Sequence, residues 1–168
     1  MKTIILISTL LLFLSSWDHG TTNTQSSDNY IDWSNGKLVW KDFKGKAPKH
    51  SSYAALTHSA IDLKLEASGA NLIITINTVF DPYESWKKKE VNDWLLEHEQ
   101  LHFDITEYHS RLLRKKLGSM KFKSFKGLGN EIQNEFNKVS KQAGKMQDDY
   151  DDDTDHSRIK KEQLDWNT

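Results

Sequence analysis

The chain has 168 residues, no cysteine, and 23 basic against 24 acidic side chains. Such a balance gives no electrostatic ground for expecting nucleic acid or an anionic membrane surface as partner. The lack of cysteine excludes a disulfide framework and lipid attachment through a thiol, so stability has to come from a core or from a bound ion.

The first twenty residues, MKTIILISTLLLFLSSWDHG, carry one lysine, an almost unbroken apolar run from Ile4 to Leu14, and then small polar residues. This is the layout of a signal peptide over 1–20. The run is well short of the roughly 20 residues that a helix needs to span hydrocarbon. The expected location is secreted or periplasmic, with no stable membrane insertion after the signal is removed. Residues 21–36 include TTNTQSSDN and read as a disordered leader with nothing to bury. Residues 37–168 are long enough for one domain with its own core.

Strand-like patterns follow in KLVWKDF, in YAALTHSAIDLKLEA and in NLIITINTVF. Ile61, Leu63 and Leu65 alternate with Asp62, Lys64 and Glu66, as in a strand with one wet face. The SGA break between the second and third runs predicts a tight antiparallel hairpin. After DPYES the apolar spacing lengthens to three and four, predicting a long amphipathic helix from about Trp86 to Leu117, closed by Gly118. A second helix is expected from near Asn130, with a weak point at Gly144. An acidic loop DDYDDDTDHS and a short terminal helix ending QLDW complete the chain. Strands first and helices after define an α+β fold.

The long helix contains HEQLH, residues 98 to 102. On a helix His98 and His102 lie about 40° and one turn apart, so both can grip one ion, while Glu99 lies about 60° from His102 at the edge of the stripe. Two neutral imidazoles with a carboxylate beside them suit Zn²⁺ and a water whose proton that carboxylate accepts. The helix cannot supply a third ligand, since His109 is about 10 Å further along the axis. His156 in the acidic loop, or Glu131 or Glu135 of the second helix, remain as candidates. Asp151, Asp153, Asp155 and Glu162 also match positions 1, 3, 5 and 12 of a calcium loop, although His156 stands where such a loop has glycine.

KLVWKDFKG, YAALTHSAI, HEQLHFDITE and YDDDTDHSRIKKEQLDW together resemble an uncharacterised bacterial family described as predicted secreted zinc-dependent proteases. The resemblance runs from about Leu38 to Trp166, and the chain has Ala60 and Ser157 where glycine is usual in that family. It implies a zincin-like fold, His98 and His102 as zinc ligands, Glu99 as the catalytic carboxylate, and His156, in the matching T-x-H with Thr154, as the third ligand.

The reading is therefore an exported zinc metallohydrolase acting on a peptide or protein substrate, with Tyr150 as a donor to the oxyanion and His109 as the alternative donor. Its rival is a non-catalytic envelope protein, binding or structural, in which the metal only staples the fold.

Overall fold

The computed structural model describes residues 29–68, 71–120 and 125–168. The expected signal peptide, most of the leader and the hairpin tip at 69–70 lie outside the described residues. The order is strands β1 (Ile31–Asp32), β2 (Ala55–Leu56), β3 (Ser59–Ser68), β4 (Asn71–Phe80) and β5 (Trp86–Lys87), then helices α1 (Asp93–Ser119), α2 (Phe125–Thr154) and α3 (Lys160–Trp166). It is an α+β fold with two small antiparallel sheets, one ordered β1-β4-β3 and the other pairing β2 with β5.

The hairpin of β3 and β4 forms as the alternation predicts. Its register sets Ile61 opposite Thr78 and Leu63 opposite Ile76, and all four are buried. Lys64, Glu66, Ile73 and Thr75 face outward. The covered face packs on the far half of α1 and the near half of α2 through Ile61, Leu63, Ile76, Leu113, Leu117, Leu128, Ile132, Phe136 and Val139. A second cluster of Leu38, Phe43, Phe80 and Phe103 fixes the near half of α1 against the N-terminal segments. No helix of the described residues is long and apolar enough to cross a membrane.

Four expectations are corrected. Part of the leader is ordered, because Ile31 and Asp32 add an edge strand to β4 and Trp33–Asn35 form a 3₁₀ turn. KLVWKDF is not a strand: the Asp42 carboxylate accepts the Val39 N–H at 2.8 Å and folds Trp40–Asp42 into a 3₁₀ turn. Leu38 and Phe43 are buried all the same. The long helix begins at Asp93, because Asn92 caps it by accepting the Leu95 N–H at 2.9 Å. Trp86 and Lys87 pair instead with β2, where Gly45 lies so close to the Tyr83 and Ser85 carbonyls that a Cβ would meet them at 2.5 and 2.7 Å.

The fourth correction matters most for the site. The second helix passes through Gly144 and through the acidic stretch to Thr154, so there is no acidic loop and no calcium loop at Asp151–Asp155. A glycine inside a helix costs about 1 kcal/mol, and packing of Ala143, Tyr150 and Thr154 outweighs it. The helix ends in three consecutive left-handed residues, Asp155, His156 and Ser157, with φ of 45°, 51° and 72°. Each costs roughly 1–2 kcal/mol for a side-chain-bearing residue. The turn is held by the His156 N–H donating to the Asp151 carbonyl at 3.0 Å and the Ile159 N–H donating to the Thr154 carbonyl at 2.9 Å.

Candidate metal centre

α1 and α2 run antiparallel, so the first half of α1 lies beside the last half of α2. At that end the seam changes from aliphatic to polar. His98 and His102 project from α1, Gln147 and Asp151, one turn apart, project from α2, and Gln163 reaches in from α3.

The Nε2 atoms of His98 and His102 are 3.1 Å apart, and each is 3.1 Å from Oδ1 of Asp151. These three residues offer donors that lie within 4.8 Å of one another, with His98 fully in the interior and the other two half-buried. Tetrahedral zinc with bonds of about 2.0–2.1 Å sets its ligand atoms a little over 3 Å apart, so the triangle has the size of one face of such a site. His156 approaches from outside it, with Nδ1 3.1 Å from the same Asp151 oxygen and its ring against Tyr53 at 4.8 Å.

The ring nitrogens on the far side are also engaged. Nδ1 of His98 meets Oε1 of Gln163 at 3.2 Å, and Nδ1 of His102 meets Oε1 of Gln147. Because an amide oxygen only accepts, both rings carry a proton on Nδ1, and a neutral ring then turns its Nε2 lone pair inward whereas a charged one donates from Nε2 to Asp151. Two inward lone pairs 3.1 Å apart repel each other unless a positive charge lies between them. A divalent cation meets that demand, and a proton meets part of it. Burial works against a charged His102 ring, but its hydrogen bond to Asp151 outweighs this and raises the pKa. For Asp151 burial pulls upward, yet the hydrogen bonds from His102 and His98 hold the carboxyl well below the usual carboxylate range.

Glu99 is 4% exposed, and its Oε2 has no hydrogen-bond partner. Burial raises its pKa, opposed by the charges of His102 and His98. A buried carboxyl with a free oxygen beside the two imidazoles is placed to exchange a proton with a group entering the cluster. The α1 backbone here is tied to the small sheet by the Thr57 hydroxyl, which donates to the Glu99 carbonyl at 3.1 Å.

Tyr150 is wholly buried. Its ring stacks on His98 at 4.5 Å and meets the edge of His102 at 5.0 Å, with Trp166 behind it at 5.3 Å. Its hydroxyl has no partner, and burial together with the charge of Glu99 holds it protonated far above the ordinary phenol range. The expected oxyanion donor is thus a ring packed beneath the imidazoles, out of contact with solvent. His109 is buried further along α1, its Nδ1 donating to the Ile105 carbonyl at 2.9 Å.

Glu131 and Glu135 stand apart from this cluster. They precede Gln147 on α2 by sixteen and twelve residues, so at 1.5 Å per residue they lie about 24 and 18 Å from it along the axis. Neither reaches the imidazoles.

Sequence reasoning passed over three residues here: Asp151, read only as a calcium-loop position, as a partner of the two imidazoles, and Gln147 and Gln163 as outer partners. The signal was present, since 143, 147, 150, 151 and 154 share one helical face. It is legible only if the acidic run is helical, and the six aspartates of DDYDDDTD around Tyr150 and Thr154 argue locally for a solvated turn.

A bacterial family whose description is "Bacterial protein of unknown function (DUF922)" matches residues 34–157. No curated protein and no solved structure matches the chain.

Proposed function

The chain belongs to the DUF922 family of bacterial proteins, and on that footing we propose that it is an exported zinc-dependent hydrolase of amide bonds, with a zincin-like arrangement and a peptide or protein substrate. The observation that carries the reading is the 3.1 Å triangle of His98 Nε2, His102 Nε2 and Asp151 Oδ1 beside the free oxygen of Glu99. His98, His102 and Asp151 would hold the ion, with His156 steadying Asp151 from outside. When bound, zinc supplies Lewis acidity toward a water and a carbonyl oxygen.

The chain's own residues do the rest. Glu99 accepts a proton from the attacking water at Oε2, the water oxygen bonds to the carbonyl carbon, and Glu99 returns the proton to the nitrogen as the C–N bond breaks. Burial favours this role, because a raised carboxyl pKa brings proton acceptance and release closer to balance near neutral pH. Tyr150 keeps the His98 ring in plane by stacking on it. Export rests on the composition of residues 1–20.

One observation favours a second reading, a metal-stapled envelope protein without catalysis: the polar cluster joins α1, α2 and α3 in a cysteine-free chain, as a structural ion would. Glu99→Gln separates the two. Expected for the hydrolase are one zinc per chain, an unchanged melting temperature, and peptide hydrolysis reduced by roughly 10²–10⁴-fold. A wild-type protein that takes up zinc, melts higher with it and leaves a broad peptide library uncut decides for the staple.

A further inference from the structure

Both imidazoles at the cluster are buttressed by a glutamine, each drawn from a different helix. The orientation of each amide is set by its other end. Nε2 of Gln147 donates to the main-chain carbonyl of His102 at 2.8 Å and to the Thr106 hydroxyl at 3.2 Å, and Nε2 of Gln163 donates to the Trp94 carbonyl at 3.3 Å. A carbonyl only accepts, so the amide nitrogens must face these groups and the amide oxygens must face the rings. Gln163 is wholly buried, which leaves it no water to exchange for this bond. Gln147 grips both the ring and the backbone of His102, and stands one turn before Asp151 on the same face of α2.

We propose that Gln147 and Gln163 are positioning residues that hold His102 and His98 as the Nδ1–H tautomer, so that both Nε2 lone pairs converge before any ion arrives. The inference rests on the metal-site reading above and deepens it, placing the preorganisation of the site on α2 and α3 and not on the HEQLH helix. A ring without such a partner must select its tautomer and its rotation when the ion binds, and the loss of outer partners of this kind typically weakens metal binding by 10–100-fold. An amide in this position orients the ring without adding negative charge, so the net charge of the ligand set is left to Asp151 alone.

The test uses the full chain after the expected signal, in wild type and in Gln147→Met, Gln163→Met and Gln163→Glu. Methionine keeps the length and removes the acceptor; glutamate restores it. Two readouts are taken: long-range ¹H–¹⁵N correlation of the histidine rings in metal-free protein at a pH of about 9, well above the ordinary imidazole value near 6.5, and zinc affinity by competition with a chromophoric chelator.

Expected are Nδ1–H rings at His98 and His102 in the wild type. In each methionine variant the ring that has lost its partner gives up that signature and zinc affinity falls 10–100-fold, while Gln163→Glu keeps the His98 signature. Nδ1–H rings and zinc affinity unchanged in both methionine variants would overturn the proposal. Should Gln163→Met fail to fold, as its melting curve would show, the half-buried Gln147→Met decides alone. If the wild type binds no zinc, the metal-site reading fails, and the ring tautomers of the metal-free protein still decide the positioning role.

Discussion

The α1–α2 hairpin has two ends built on opposite principles. At the end near Leu117 and Leu128 the seam is aliphatic, closed by Leu113, Ile132, Phe136 and Val139 against the sheet. At the other end the same two helices bring His98, His102, Gln147 and Asp151 together, with Tyr150 packed below and α3 closing the side. The first end holds the helices by burying apolar surface, which tolerates imprecision in the placement of any one side chain. The second holds them by directed polar contacts that are unfavourable unless every partner is present. One pair of helices can thus keep two kinds of contact apart: a loss at the apolar end is expected to weaken the whole fold, and a loss at the polar end, on the proposed reading, to alter zinc uptake.

Breaking the polar end should have the largest effect. His98→Ala and Asp151→Ala are each expected to abolish stoichiometric zinc uptake, measured by elemental analysis, while His156→Ala keeps one zinc per chain. Zinc lost in His156→Ala and retained in Asp151→Ala would exchange the roles of these two residues. At the apolar end, Ile132→Ala should destabilise the fold by about 2–5 kcal/mol in urea denaturation, with zinc stoichiometry intact. A variant that lost zinc while still folded would show that the two ends are not separate.

Between the ends, Glu107 is buried and accepts hydrogen bonds from Thr78 at 2.7 Å, Arg111 at 2.7 Å and Arg114 at 2.8 Å. Burial pulls its pKa up, but these partners outweigh it and the pKa lies below the ordinary 4.5. The stabilisation is therefore fully present above that ordinary value and is lost as pH falls through the lower, folded-state value. Glu107→Gln should cost about 1–3 kcal/mol at pH 7, and the gap to wild type should close on acidification below the ordinary glutamate range. A gap that persists unchanged to acid would mean that the carboxylate charge contributes nothing.

The smallest effect is expected at the strained turn. Ser157→Gly relieves a side chain at φ 72° and should raise stability by about 1 kcal/mol, seen as a higher denaturation midpoint with unchanged slope. No gain would mean that the extra freedom of glycine in the unfolded chain offsets the relief.

Much of this was legible beforehand. The β3–β4 hairpin follows from the alternation of residues 61–66 and the SGA break, and the HEQLH pair follows from helical spacing alone, since both depend on contacts within a few residues. Elsewhere the period was judged correctly and the partner was not. Tyr108 and Leu112, which complete the apolar stripe on paper, are exposed, while Thr106, Glu107 and Ser110 are buried, because β4 offers Thr78 to that face of α1. KLVWKDF forms a 3₁₀ turn and not the expected strand, because a side-chain cap at Asp42 competes with strand pairing; Leu38 and Phe43 are buried and Val39 is exposed.

What the sequence by itself determined is the α+β order, the hairpin, and two imidazoles and a carboxylate on one helical turn, because these are periodicities of a single segment. What only the tertiary structure decided is what surrounds them: Asp151 and Gln147 on a turn of helix that its aspartates disfavour locally, Gln163 from beyond a strained left-handed turn, and Tyr150 as a buried ring stacked on His98. The physical reason is that an acidic run becomes helix only when a neighbouring helix buries one of its faces. That burial depends on α1 lying alongside, which no spacing within the run can encode.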